Sequence, residues 1–379
     1  MKPHRSCIAP TPHANSPILR MPEAARLPTL ARPRGSGDRS HGRLMSLPLA
    51  DIERIKRLKY RYCRGIDMAD FELLRELFTE DVEVDYVGAT YRWQLSGREA
   101  MLAAHAGSFN ANTVASHTVH HPEIDVLDDS TAVGSWYLAD FYINLAEQTL
   151  TTGAALQRDR YVRQDGDWLI GATSSERLWE RIEPFTDPSQ IKAHYLARVP
   201  PPGRTGAAGA TGSSMTARND MALRLEDIEL IQRLKHKYLR CVDTANIEEL
   251  RDLFTEDITV DFVGATYRWQ MEGREAFLAG LKAAFHPRGV ASHVAHHPEI
   301  DVLTDTTAEG RWYLTDFFID LGANQLTTGA VLYRDEYVKL DGAWRIKLTS
   351  YQRIYERVEP FTEHSQIKYS CLAKPGSVR

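Results

Sequence analysis

A histidine and an aspartate on neighbouring strands suffice for acid–base chemistry, and this chain offers the pair twice. Residues Val114 to Asp140 read VASHTVHHPEIDVLDDSTAVGSWYLAD, and Val290 to Asp316 return as VASHVAHHPEIDVLTDTTAEGRWYLTD. Each version sets a histidine, His117 or His293, on one extended segment and ends the next strand on an aspartate, Asp140 or Asp316. An imidazole titrates near neutrality, so it can take a proton and return it. A carboxylate beside it fixes the tautomer and offsets the imidazolium charge.

The aspartate carries the sharper signal. Strand alternation puts Trp136, Leu138, Asp140 and Tyr142 on one face, and Trp312, Leu314, Asp316 and Phe318 on the corresponding face of the second copy. A carboxylate among aromatic and aliphatic neighbours is costly unless paired. The cluster His117, His120, His121 invites a metal reading, but strand geometry opposes it. Four strand residues span roughly 13 Å, and His120 points away from the other two.

Three further residue types could join such a pair. Tyr62, and Tyr238 in the second copy, lie on the apolar stripe of a helix, so their rings face a core. Asp67 and Asp243 follow at that helix's end, where the dipole disfavours a carboxylate unless something else holds it. Arg177 and Arg353 sit on the last strand among aromatic residues, where a guanidinium pairs with a carboxylate or an anionic ligand.

The elements that must position these groups follow from the patterning. Ile52, Ile55, Leu58, Tyr62 and Ile66 recur at helical spacing behind Asp51, which suits a helix N-terminus. A second helix is expected over about Asp70–Phe78, then two short extended runs, VEVDYV and TYRWQL, and a helix from about Arg98 after Gly97. Strands are predicted at about Val114–His121, Thr131–Leu145, Leu150–Gln164 and Trp168–Ile182, with turns at Asp128-Asp129 and Asp165-Gly166. Helices first and hairpin-linked strands after imply an α+β class, helices lying on one face of a curved, mainly antiparallel sheet.

From Asp51 to Lys192 the chain aligns with Asp227 to Lys368 at a constant offset of 176, with about 86 of 142 pairs identical. This is a tandem duplication rather than a solenoid of short repeats. Residues 1–47, rich in Pro and Arg, read as a disordered tail, 48–198 as the first domain, 199–222 as a Pro/Gly/Ala/Ser linker and 223–379 as the second domain. The net charge of −5 gives no electrostatic support to nucleic-acid or membrane-surface binding. No apolar run approaches the roughly 20 residues of a membrane span. Cys7, Cys63, Cys241 and Cys371 show neither metal spacing nor a disulfide framework, so a cytoplasmic location is expected. Gly-rich phosphate loops and Ser or Cys nucleophile motifs are missing, which leaves no sign of a cofactor.

Taken together, DIERIKRLKYRYCRGID, SHTVHHPEIDV, TAVGSWYLAD, the DRYVRQDGDW hairpin and the RLWERIEPF end resemble the SnoaL-like branch of the nuclear transport factor 2-like superfamily. Within it, each unit is most similar to the bile-acid 7α-dehydratases. The resemblance implies two tandem cone-shaped α+β barrels, each with about three helices packed on the curved sheet. It also implies an active site of Tyr62, Asp67, His117, Asp140 and Arg177, matched by Tyr238, Asp243, His293, Asp316 and Arg353. Ala139 and Thr315 stand where the dehydratases carry an acidic residue, at the pocket mouth.

The reaction so implied is a cofactor-independent loss of water from a small hydrophobic, hydroxylated substrate, steroid-like or polycyclic. His117 would move the proton with Asp140 fixing its tautomer. Tyr62, backed by Asp67, would stabilise the developing oxyanion, and Arg177 would anchor Asp67 or a substrate anion. Isomerisation or polyketide-type cyclisation on the same fold, and a non-catalytic ligand-binding module, are the alternatives. The family's habit of associating between sheets implies an intramolecular pseudo-dimer or a homo-oligomer.

Overall fold

The computed structural model describes residues 48–88, 91–201, 223–265 and 267–361. The tail expected over 1–47, the linker beyond Pro201 and the last residues of the second domain lie outside this range. Among the described residues no helix is long and apolar enough to cross a membrane.

Repeat 1 opens with helix α1 (Leu49–Asp67), a short α2 (Phe71–Leu77), strands β1 (Phe78–Val87) and β2 (Arg92–Ser96), and helix α3 (Arg98–Ser108). Four long strands complete it: β3 (Thr113–Val126), β4 (Thr131–Asn144), β5 (Thr149–Gln164) and β6 (Asp167–Pro184). Their order across the sheet is β2-β1-β6-β5-β4-β3, antiparallel throughout except for the parallel β1–β6 pair. The third strand outruns its expected end at His121. That residue takes φ 51°, and the ladder resumes at Glu123 after a register shift, so the strand bends and continues.

Repeat 2 follows the same plan, with α4 (Leu225–Asp243), α5 (Ile247–Arg251), β8 (Phe254–Val263), β9 (Arg268–Glu272), α6 (Arg274–Ala284), β10 (Gly289–Val302), β11 (Thr307–Asp320), β12 (Gln325–Leu340) and β13 (Ala343–Pro360). Between the repeats, β7 (Ile191–His194) leaves the first sheet and pairs antiparallel with β13 of the second. The chain then returns, burying Leu196 in the first core and accepting the Ala111 N–H at the Val199 carbonyl, 2.7 Å.

The stripe on α1 does what its spacing implies: Ile55, Leu58, Tyr62 and Ile66 are all buried against the sheet. One polar contact deep in that seam fixes the docking. Lys59 and Asp159, both without solvent exposure, approach to 2.8 Å, and Asp159 also accepts hydrogen bonds from Tyr161 (2.8 Å) and Thr173 (2.7 Å). Repeat 2 reproduces the arrangement with Lys235 and Asp335. A buried charge held this way pins helix to sheet, because losing either partner strands the other in an apolar interior.

A third apolar cluster joins the repeats: Val114, Ile143, Leu150 and Phe185 pack with Tyr313, Ala330, Ile354 and Tyr355. Phe141 stacks on Tyr355 across it at 4.9 Å.

Candidate functional site

The end of α1 delivers Asp67 to the middle of β3. Its carboxylate, fully buried, accepts the His117 backbone N–H at Oδ2 (2.8 Å) and meets the ring Nδ1 at Oδ1 (2.5 Å). A third donor comes from the other repeat, the Tyr313 hydroxyl at 2.7 Å from Oδ2. These bonds answer the unfavourable position of a carboxylate at a helix C-terminus. Burial pulls the His117 pKa down, but the Asp67 charge and hydrogen bond, with help from Asp140, override it and leave the imidazole above its ordinary value. With Nδ1 engaged, Nε2 is the nitrogen left to face a substrate.

Asp140 is not the histidine's hydrogen-bonding partner. It lies opposite His117 in the β3–β4 ladder, as alternation required, and its Trp136 and Leu138 neighbours are buried. Its carboxylate turns toward β6 instead and forms a two-pronged pair with Arg177, 2.7 Å on each side. Arg177 in turn approaches Glu180 (2.9 Å) and the Tyr91 hydroxyl (3.4 Å). Of the two partners expected for Arg177, Asp67 or a substrate anion, the Asp67 contact is not made, because the guanidinium bonds Asp140. Space for this pair comes from Gly153 on the intervening strand, where an added Cβ would stand 2.8 Å from Arg177 Nη1 and 3.2 Å from Asp140 Oδ1.

Tyr62 is buried, as its stripe position required, but Asp67 does not stand behind its hydroxyl. That hydroxyl shares a hydrogen bond with Tyr86 (2.8 Å), whose own oxygen lies 3.3 Å from Thr173. Thr173 donates to Asp159, so the hydroxyl chain ends on the buried Lys59 pair. Burial raises both tyrosines' pKa, keeping them protonated donors.

Sequence reasoning passed over His105. It is 2% exposed, neither ring nitrogen has a hydrogen-bond partner, and it lies among Tyr62 (6.2 Å), Trp93 (5.6 Å) and Phe109 (5.7 Å). Burial drives its pKa down to about 3, so it is neutral. Of the remaining two histidines of the triplet, His120 meets His296 of repeat 2 edge-on at 4.9 Å, and His121 is exposed beside Tyr137 of its own repeat.

Repeat 2 rebuilds the same frame. His293 engages Asp243 through Nδ1 (2.6 Å) and the backbone N–H (3.0 Å), and Arg353 donates to both Asp316 oxygens (2.6 and 2.8 Å). The surroundings differ. Phe262 replaces Tyr86, Leu281 replaces His105, Tyr333 replaces Gln157 and Tyr351 replaces Ser175. Tyr238 is buried like Tyr62, while Tyr267 and Tyr351 share a hydrogen bond at 2.6 Å beside Arg353. The two sites thus have one acid–base frame and two linings.

A family model described as a SnoaL-like domain matches residues 48–174 and again residues 223–350. Among solved structures, a Novosphingobium aromaticivorans protein provisionally assigned as a scytalone dehydratase is 22% identical over 38% of this chain and 92% of its own, with a TM-score of 0.32. Hexachlorocyclohexane dehydrochlorinase LinA-type3 of Novosphingobium barchaimii is 20% identical over 36% of this chain and 92% of its own, with a TM-score of 0.33. A Mycobacterium tuberculosis protein of unknown function is 25% identical over 34% and 72%, with a TM-score of 0.29. Each of these three matches spans about one repeat.

Proposed function

The chain belongs to the SnoaL-like family in both of its halves, and on that premise we propose that it is a cofactor-independent hydro-lyase acting on a small, apolar, hydroxylated ketone of steroid-like or polycyclic type. The observation that carries the reading is the double hydrogen bond between Asp67 and His117, repeated between Asp243 and His293. A histidine held at Nδ1 and at its own backbone has one free nitrogen in one fixed direction, which is what a general base requires.

In the proposed reaction, His117 Nε2 takes a hydrogen from the carbon next to the carbonyl, and the C–H electron pair forms an enolate. The enolate collapses to a carbon–carbon double bond as the β C–O bond breaks. The imidazolium then protonates the departing oxygen and water leaves. The Tyr62–Tyr86 hydroxyls are the donors proposed for the enolate oxygen in repeat 1. The Asp140–Arg177 pair is the proposed positioning group, with Asp140 opposite His117 in the β3–β4 ladder and the Tyr91 hydroxyl 3.4 Å from Arg177.

The test is a panel of hydroxylated polycyclic ketones assayed by mass for loss of one water. The wild-type chain should produce the dehydrated product, and a His117→Ala/His293→Ala variant should lose roughly 10²–10⁴ in rate. Wild-type-like turnover in that variant would sink the mechanism, and a product of unchanged mass would move the reaction to isomerisation or cyclisation.

A further inference from the structure

The third strand of repeat 1 is the last of its sheet, so alternate backbone N–H groups along it face outward, away from the ladder. Two of these lie at the candidate site, and both are capped. Asp67 Oδ2 receives the His117 N–H at 2.8 Å. Two residues on, His297 of repeat 2 receives the Val119 N–H at Nε2, 2.9 Å. Repeat 2 is therefore built into the edge that carries the proposed general base.

Helix α1 supplies the rest of this seam. Arg64 forms a two-pronged bond with Glu299 (2.8 and 2.9 Å), Arg57 bonds Asp301 (3.1 Å), and Tyr60 stacks on His297 at 5.0 Å. The contact runs one way, since Glu123 and Asp125, the repeat-1 counterparts of Glu299 and Asp301, are exposed. It seats Tyr313 of β11, 1% exposed, within the apolar cluster that joins the repeats.

The Tyr313 hydroxyl lies 2.7 Å from Asp67 Oδ2 and 3.1 Å from Ser116 Oγ. A carboxylate only accepts, so the phenolic proton goes to Asp67. Burial and the Asp67 charge push the Tyr313 pKa well above its usual value, which keeps the donor protonated. Asp67 Oδ2 thus holds two donors, one from the strand and one from repeat 2, and Oδ1 is left to the His117 ring. Two buried donors on one oxygen fix the plane of the carboxylate, and with it the direction of Oδ1. Each neutral donor also draws on the carboxylate charge that stabilises the imidazolium.

We propose that Tyr313 of repeat 2 is a positioning residue of the repeat-1 site, acting through Asp67 on His117. This role rests on the reading of the Asp67–His117 dyad as an acid–base frame. Around the dyad stand Cys63 on α1, His105 on α3, Asp140 on β4, Arg177 on β6, His297 on β10 and Tyr355 on β13. Tyr313 bonds the Asp67 carboxylate itself. Removing its hydroxyl leaves that share of the charge to His117, so the imidazolium is held more tightly and the ring titrates at higher pH.

Nitrogen-15 NMR of the His117 ring in the full chain tests this. Tyr313→Phe keeps the ring and removes the hydroxyl, and the His117 titration should move up by roughly half a unit or more. In a His293→Ala background the acid limb of kcat/KM should move with it. Tyr137→Phe, the same change at the exposed counterpart in repeat 1, should leave the titration at the parent value. An unchanged or lowered titration in Tyr313→Phe, or an equal rise in Tyr137→Phe, would overturn the proposal. The wild-type chain gives a second reading that needs no variant to fold. With carbon-13 at the tyrosine Cζ atoms, the Tyr313 resonance should step at the His117 midpoint, because both side chains bond one carboxylate. A Tyr313 resonance without that step would overturn the proposal even if Tyr313→Phe does not fold. Both NMR readings are independent of the reaction. A chain that shows the shifts and dehydrates nothing removes the hydro-lyase reading and keeps the coupling, and a dehydrating chain without the shifts does the reverse.

Discussion

Asp67, the last residue of α1, holds His117 at 2.5 Å from across the repeat's core, while Asp140, directly opposite His117 in the sheet, bonds Arg177 instead. The helix-end carboxylate is thus the orienting group and the strand carboxylate belongs to a separate ion pair. Replacing Asp67 by Asn keeps the shape and removes the charge. In a His293→Ala background, which isolates the repeat-1 site, Asp67→Asn should lower kcat by roughly 10²–10⁴-fold. Asp140→Asn should weaken activity while leaving the His117 titration closer to that of the parent.

The pH dependence follows with a defined sign. A histidine whose folded pKa lies above its unfolded value of 6.5 must lose its proton to act as a base. The acid limb of kcat/KM for the repeat-1 site should therefore fall above pH 6.5 and move down in Asp67→Asn. For stability, the charged His117–Asp67 pair contributes fully below 6.5 and fades as pH rises through the raised pKa. His297 works in the opposite direction. Burial holds it well below 6.5, so its contribution is present above 6.5 and is lost as pH falls. Urea titrations between pH 5 and pH 8 on His117→Ala and His297→Phe chains would separate the two slopes.

Gly153 is needed for room. A Cβ there would stand 2.8 Å from Arg177 Nη1 and 2.9 Å from the Trp179 carbonyl oxygen, the second being backbone that cannot swing away. Gly153→Ala should cost about 1–3 kcal/mol of stability by overpacking and lower repeat-1 activity by displacing Arg177. Gly329→Ala should do the same in repeat 2, where the corresponding distances are 2.5 and 2.9 Å. Thermal melts paired with activity assays read both effects.

His105 should trade stability for binding. A buried imidazole without partners costs about 1–3 kcal/mol, and repeat 2 carries Leu281 at the same place. His105→Leu should raise the melting temperature while changing KM at the repeat-1 site. An unchanged KM would remove His105 from the substrate lining.

Much of this architecture was written plainly in the chain. The 176-residue offset, the α1 stripe and the alternation that buries Trp136 beside Asp140 follow from spacing alone. Spacing singled out His117 and Asp140, and the resemblance supplied Tyr62, Asp67 and Arg177. The pairing among these residues followed from neither, because it depends on how the end of α1 lies across β3, a tertiary fact that periodicity does not encode. Gly153 left a signal, a lone glycine inside a strand in both copies, of the kind that marks close approach. His105 was detectable only as a difference from Leu281. The one-way contact between repeats was invisible, since Glu123 and Glu299 are the same residue in the same context.

The most direct test of the account is the tautomer and titration of His117, read by nitrogen-15 NMR on the full chain with and without Asp67→Asn. His117 should carry a proton on Nδ1 bonded to Asp67, keep Nε2 free, and titrate above 6.5 with a drop in the variant. A His117 that titrates at or below 6.5, or that does not respond to Asp67→Asn, would contradict it.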